Sequence, residues 1–247
     1  VSQRLRRIGA ALVNCRLGKP LLYFEEVSST NDILREKAAA GAPEGCVIIA
    51  GAQTAGRGRR GKQWLSIPDK GVYLSLLLRP CWPATEAPFI AFFAALAAAR
   101  TLDRFNIGNV KLKWPNDLLI NGKKIGGVLI EPRINRRELE FVVVGVGINV
   151  LHSPGDLKQL GDNAATSCLL EGADITCDDV IINLLAEFDI CYYMIQHGDK
   201  KAIIEEWARR SIINRSQKSV APGQRSGRQP LSLRSGAMIP RGGGKSE

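Results

Sequence analysis

An apolar run, Cys46 to Ala52 (CVIIAGA), is separated by only Gln53, Thr54 and Ala55 from Gly56-Arg57-Gly58-Arg59-Arg60-Gly61. The run reads as a strand buried on nearly both faces. The hexapeptide fits G-x-G-x-x-G and, with Lys62, falls one residue short of a P-loop. Both phosphate-binding turns need a helix directly behind the glycines, so that the phosphates meet its N-terminus. Lys62 to Asp69 (KQWLSIPD) is no helix, and Gln63 stands where a P-loop needs Ser or Thr for its metal. A doubly wound nucleotide-binding sheet is therefore set aside. Glycines let a backbone lie close to a ligand. Three guanidiniums in six residues repel one another until an anion arrives, so the loop should order on a phosphate or carboxylate. A solvated surface loop is the plainer alternative. The buried strand leading into it, with Gln53 at its end, argues against that.

The remaining pattern gives further elements. Leu21 to Glu26, Gly71 to Arg79, Val110 to Trp114 and Glu138 to Gly145 read as strands. Asn116–Ile120 and Ile125–Glu131 flank Asn121-Gly122, a two-residue hairpin signal. Ser29-x-x-Asp32 has the form of a capping box, which starts a helix running toward Gly41. Residues 86–104 predict a long, largely apolar helix. Residues 178–197 predict an amphipathic one, with Val180, Ile181, Leu184, Leu185, Phe188 and Cys191 on one face, and residues 200–209 are helical too. Hairpins beside separate helices indicate an α+β body with a mixed, mainly antiparallel central sheet and helices packed on it.

Charge divides the chain. Residues 1–207 carry 25 Lys and Arg against 23 Asp and Glu, whereas residues 208–247 carry 9 against 1. The expected organisation is a basic segment over 1–20, a body over 21–207 and a short, atypical basic segment over 208–247. The near-neutral body is unlike a uniformly basic nucleic-acid binder. The longest uninterrupted apolar run, Phe89 to Ala99, is 11 residues, too short for a membrane span. The six cysteines form no C-x-x-C pair and the two histidines stand apart, which speaks against structural zinc and for a reducing, cytoplasmic setting. Cys46 and Cys191 read as inert buried thiols.

A second dense stretch is Lys113-Trp114-Pro115-Asn116-Asp117, followed by Asn121-Gly122-Lys123-Lys124-Ile125-Gly126-Gly127. Lys124 emerges where a hairpin strand enters the core, and the glycine pair leaves room for a ligand. Such a lysine can stabilise charge developing on a phosphate. A solvated turn for Lys123-Lys124 and a turn-forming Asp117 are the alternatives. Gly145-Val146-Gly147-Ile148-Asn149 closes a strand with small residues and one amide, which can meet a purine edge or serve a turn.

Taken in order, SSTND, GAQTAGRGRRGKQW, KWPNDLLINGKKIGGVLIE and GVGINV resemble the catalytic domain of biotin protein ligases over about residues 20–207. The resemblance implies a class II synthetase-like α+β fold. It implies ATP-dependent formation of biotinyl-5′-AMP, then transfer of biotin to a lysine of a biotin carboxyl carrier protein domain. Lys124, Arg59 and Asp117 would be catalytic. Ser29, Thr30, Asn31, Gln53, Gly56, Arg57, Gly58, Arg59, Trp64, Lys124, Gly127 and Gly145 would bind biotin. Arg57, Arg60, Trp114, Asn116, Lys124 and Asn149 would bind ATP, whose Mg²⁺ would arrive with the nucleotide, near Asp117. Only 20 residues precede Leu21, so the expected form is the short one without a DNA-binding domain. No membrane partner is expected, and a homodimer is left open.

The family continues past Trp207 into a small SH3-like barrel. Here residues 208–247 are basic and poor in strand formers, as a degenerate barrel or an unfolded tail would be. A lipoate–protein ligase shares scaffold and chemistry and is the alternative function; the arginine-rich hexapeptide favours biotin. A polyanion-binding module using the basic tail is a third reading, weakened by the absence of aromatics from residues 208–247.

Overall fold

The computed structural model describes residues 2–159 and 164–212. Its elements are α1 (Ser2–Ala11), β1 (Leu21–Val27), α2 (Thr30–Ala39), β2 (Val47–Gln53), β3 (Gly71–Leu78), α3 (Ala87–Asp103), β4 (Lys111–Lys113), β5 (Asp117–Ile120), β6 (Lys123–Asn135), β7 (Glu138–Asn149), α4 (Pro154–Gln159), α5 (Cys177–Gln196), α6 (Lys200–Arg210) and β8 (Ser211–Ile212). The strands form one sheet in the order β1-β2-β3-β7-β6-β5-β4-β8. Only β1–β2 and β4–β8 pair in parallel. The mixed, mainly antiparallel α+β architecture expected from the hairpins is the one found. The expected tail over 208–247 lies, past Ile212, outside the described residues.

The two sheet faces differ, and that difference makes the site. One face is apolar along its whole length. Val47, Ile49, Val72, Leu74, Leu76, Val142, Val144, Val146 and Ile148 alternate along β2, β3 and β7 and pack under α3 and α5. The opposite face is apolar only at one end. There Cys46, Ile48, Leu77, Phe141 and Val143 pack against Leu34 and Ala38 of α2. Following the same face along β3 and β7, the next residues are Ser75 opposite Gly145, Tyr73 opposite Gly147, and Gly71 opposite Asn149. Side chains there shrink or become polar, and this stretch of the face, beyond the N-terminus of α2, is termed the cleft.

Two findings modify the sequence reading. The run-length argument against a membrane span is insufficient, because the helical stretch Ala84–Asp103 is long and apolar enough to cross one. Its helix α3 is instead a core element, with Ile90, Phe93, Leu96 and Leu102 fully buried. The basic N-terminal segment holds a helix, α1. Ile8 and Leu12 enter the main core, and Arg4 and Arg7 bond Asp178 and Asp179, in the first turn of α5, each at 2.5 Å. Acidic residues at a helix start are favourable in their own right. Cys46 and Cys191 are buried as expected, and burial pushes the Cys191 thiol up to about 12.

His152, just past β7, is fully buried, and neither ring nitrogen has a hydrogen-bond partner among the described residues. Burial lowers its pKa below 6.5; the Asp156 charge and the Lys70 backbone oppose this, and the Lys70 charge reinforces it. The unfolded chain therefore binds a proton more readily than the folded one. Stability should hold above pH 6.5 and fall as the pH drops below it, by at most about 1.4 kcal/mol per pH unit. Denaturant midpoints measured from pH 7.5 to 5 should show this slope, and His152→Gln should flatten it. An unchanged slope in the variant would assign the acid sensitivity elsewhere.

Candidate functional site

The cleft begins at the start of α2. Ser29 caps this helix, its hydroxyl accepting from the Asp32 N–H at 3.4 Å. Only that half of the expected capping box forms, because the Asp32 carboxylate pairs with Arg35 at 2.6 Å and Arg57 at 2.8 Å. The next two residues turn inward. Thr30 donates to Gln53 Oε1 from its backbone N–H at 2.9 Å and from its hydroxyl at 3.1 Å. Ser75 Oγ lies 2.5 Å from Asn31 Oδ1 and 2.7 Å from Thr30 Oγ1. Asn31 Nδ2 donates to Glu131 Oε2 at 2.7 Å. Ser29, Thr30, Asn31 and Ser75 are all buried, so these polar groups are held by one another rather than by water.

Glycines form the floor. A Cβ on Gly145 would stand 2.3 Å from Asn31 Oδ1, and one on Gly147 would stand 2.4 Å from the Trp64 ring. Gly127, paired with Gly147 across β6 and β7, lies 3.6 Å by the same measure from both Trp64 and Asp117. The indole of Trp64 thus lies over the glycine floor, its Nε1 buried without a hydrogen-bond partner among the described residues.

The glycine–arginine segment is a clasped hairpin. Trp64 N–H donates to Gly56 O at 2.9 Å, and Gly58 N–H to Lys62 O at 2.7 Å. Arg60 takes a left-handed φ of 55° in the turn. The three arginines do not crowd. Arg57 reaches inward between the carboxylates of Asp32 and Glu131, each at 2.8 Å. Arg59 and Arg60 are exposed, without a carboxylate partner among the described residues. The mutual repulsion read from the sequence is relieved by carboxylates that the sequence sets far away.

Lys124 enters from the opposite rim. Its ammonium is 2.8 Å from Asp117 Oδ1 and 5.4 Å from the Trp64 ring centroid. Strict strand alternation would have sent it elsewhere. Counting back from Gly127 on the cleft face, position 124 falls on the helix-covered face. A β-bulge resolves this: Leu118 pairs with Gly126 but Leu119 pairs with Lys124, leaving Ile125 as an extra residue in β6. Ile125 is fully buried in the main core, and Lys124 turns to the cleft. Segment 164–166 pins the backbone there, with Lys124 N–H donating to Ala164 O and Thr166 N–H donating to Lys124 O, each at 2.8 Å.

The remaining expected residues are placed as follows. Asn149 ends β7 on the cleft face, and its amide donates to Thr166 O at 3.0 Å. Asn116 borders Gly127, its carbonyl accepting from Val128 N–H at 2.9 Å. Trp114 is drawn to the helices, stacking on Phe92 with centroids 5.4 Å apart and meeting Trp207 edge-on at 5.8 Å. Sequence reasoning missed Ser75, Glu131 and Gly147. Ser75 carried a signal, being the one hydroxyl-only side chain in the apolar run GVYLSLLL. Glu131 ends an apolar run, and a terminal charge there is ordinary without knowledge of its partners.

An open mixed sheet with a glycine-floored cleft, a buried amide and hydroxyl network at one end and cations on both rims defines an α+β domain whose groups are of the kind that can receive a small ligand with a polar head and an acidic group. The chain belongs to the Biotin/lipoate A/B protein ligase family, whose model matches residues 23–149. It is 38% identical over 185 residues to the bifunctional ligase/repressor BirA of Bacillus subtilis, covering 74% of this chain and 57% of that protein. The chain therefore spans little more than half the length of that relative. Among solved structures, the biotin protein ligase of Aquifex aeolicus in complex with biotin and ATP is similar with a TM-score of 0.64 and 27% identity, over 77% of this chain and 78% of that one. The biotin protein ligase of Leishmania major in complex with biotinyl-5-AMP gives 0.63 and 26%, over 85% and 88%.

Proposed function

We propose that this chain is an ATP-dependent biotin protein ligase. A biotin carboxylate oxygen attacks the α-phosphorus of ATP, the bond to the β,γ-diphosphate breaks, and biotinyl-5′-AMP and pyrophosphate form. The amine of a carrier-domain lysine then attacks the acyl carbon. AMP leaves with the electron pair of the broken C–O bond, and the amine gives up a proton. The observation that carries this reading is the convergence of Lys124 and Arg57 on a cleft whose far end is the Thr30–Gln53–Ser75–Asn31 network.

A carboxylate and a triphosphate repel each other, so the first step needs fixed cations and little water. Lys124 supplies one charge at the point where both groups meet, and Arg57 supplies the other from the loop. Ser29, Thr30 and Asn31 receive the ureido ring, and Gly127 and Gly145 admit it close to the sheet. Gln53, Gly56 and Gly58 line the loop side, and Trp64 shields the anhydride from water. Arg59 and Arg60 are the exposed cations left for phosphate oxygens. Trp114, Asn116 and Asn149 flank the nucleotide end. Asp117, beside Lys124, orients the incoming amine.

The donor set suits a metal that travels with the nucleotide. Among the described residues no group of three or more His, Cys, Asp or Glu side chains could hold an ion, and Asp117 offers a single carboxylate already paired with Lys124. Mg²⁺ bound to ATP would offset phosphate charge. The partner is a biotin carboxyl carrier domain, and six free cysteines suit a cytosolic setting.

Incubation with biotin, Mg·ATP and a carrier domain should raise the carrier's mass by one biotinyl group. Modification with lipoate and none with biotin would transfer the assignment to the other branch of the family. Binding of nucleic acid with steep salt dependence, and no carrier modification, would favour the polyanion reading.

A further inference from the structure

Glu131 Oε2 accepts two hydrogen bonds from parts of the chain that are far apart. Asn31 Nδ2 donates at 2.7 Å, and an Arg57 terminal nitrogen donates at 2.8 Å. Asn31 cannot swing away freely. Its Oδ1 sits against Gly145 and takes the Ser75 hydroxyl, and the residue is 4% exposed. Arg57 belongs to the clasped loop, and its Nε is buried without a partner among the described residues. One carboxylate oxygen is thus shared between the base of the cleft and the flap that covers it.

We infer that Glu131 is a positioning residue that couples occupancy of the Asn31 pocket to closure of the 56–64 loop. The inference deepens the reading of the site as a biotin site and rests on it. Its physics is competition for one acceptor. The Asn31 amide has two hydrogens, and a ligand carbonyl that takes the one now on Glu131 removes one of the two donors on Oε2. The carboxylate then concentrates on Arg57, and their charge-assisted bond strengthens. The loop is held more firmly when the pocket is filled than when it is not. Asp32, the other carboxylate on Arg57, is bonded to Arg35 and not to Asn31, so it anchors the loop without sensing the pocket.

Glu131→Gln keeps an acceptor for Asn31 and removes the charge that holds Arg57. Asp32→Asn removes the insensitive anchor. Tryptic cleavage after Arg57, Arg59 and Arg60, assigned by fragment mass, reads loop opening in the full-length chain. Calorimetry on the same samples reads biotin binding. Without ligand, both variants should be cleaved several-fold faster than the wild type. Saturating biotin should protect the wild type and Asp32→Asn by about tenfold or more, and Glu131→Gln, though loaded, several-fold less, because only the ligand's own carboxylate then holds its Arg57. Equal biotin protection of Glu131→Gln and wild type would overturn the coupling. So would ligand-free cleavage of Glu131→Gln at the wild-type rate. A wild type that calorimetry shows not to bind biotin would overturn the biotin reading, while the ligand-free rates still judge the Arg57 anchor.

Discussion

Lys124→Ala should slow biotin-dependent ATP–pyrophosphate exchange by about 10²–10³-fold, the scale of losing one preorganised group that faces developing charge. The protein should remain folded. The backbone at position 124 is fixed by two bonds to segment 164–166 that do not involve the side chain. The partner left behind, Asp117, is 28% exposed in its side chain and can be solvated. A thermal midpoint within a few degrees of the wild type, together with the lost exchange, would place the effect on chemistry rather than folding. Exchange at the wild-type rate would remove Lys124 from the mechanism and leave the cleft without its main cation.

Gly145→Ala tests the opposite end of the cleft with the smallest change available. The added methyl would lie 2.3 Å from Asn31 Oδ1 and 3.0 Å from its Cγ and Nδ2. No real contact is that short, so the amide must move. Moving it breaks the Ser75–Asn31–Glu131 chain inside a buried pocket. Destabilisation of about 1–3 kcal/mol is expected from overpacking. Biotin affinity should fall by about 10–10²-fold, the range for losing one ligand hydrogen bond to a displaced, buried Asn31 amide. Gly127→Ala gives the comparison on the same face: its methyl would meet Asn116 O at 3.3 Å, tight but not a collision, so any loss of affinity there reports lost room for the ligand and not a displaced amide. Calorimetry on both variants separates a general intolerance of Cβ atoms from the specific collision. Equal binding by Gly145→Ala and wild type would show that the Asn31 amide does not contact the ligand.

Both predictions concern residues that the sequence singled out, but the reasons for their effects were not in it. The sequence marked Lys124 as a lysine before two glycines, and Gly145 as a small residue at a strand end. The collision between Gly145 and Asn31 joins positions brought together by α2 packing against β7. The cation pairings join α2, β6 and the loop. Trp114 was legible in part: its motif suggested the nucleotide, and packing also sets its ring against Phe92 and Trp207.

What the amino-acid order determined by itself was local. Alternation and unbroken apolar runs located the main strands, the Asn121-Gly122 hairpin and the long helices, since side-chain period follows from backbone geometry alone. The lack of a helix behind the glycines excluded the phosphate-turn folds, and the motif order pointed to the family. What only the tertiary structure decided was register and company. An extra residue at Ile125 turned Lys124 to the cleft, and Glu131 became the acceptor for Asn31, exactly one hundred positions away in sequence separation terms. Strand parity and long-range pairing depend on how distant segments dock, and no window of neighbouring residues contains that information.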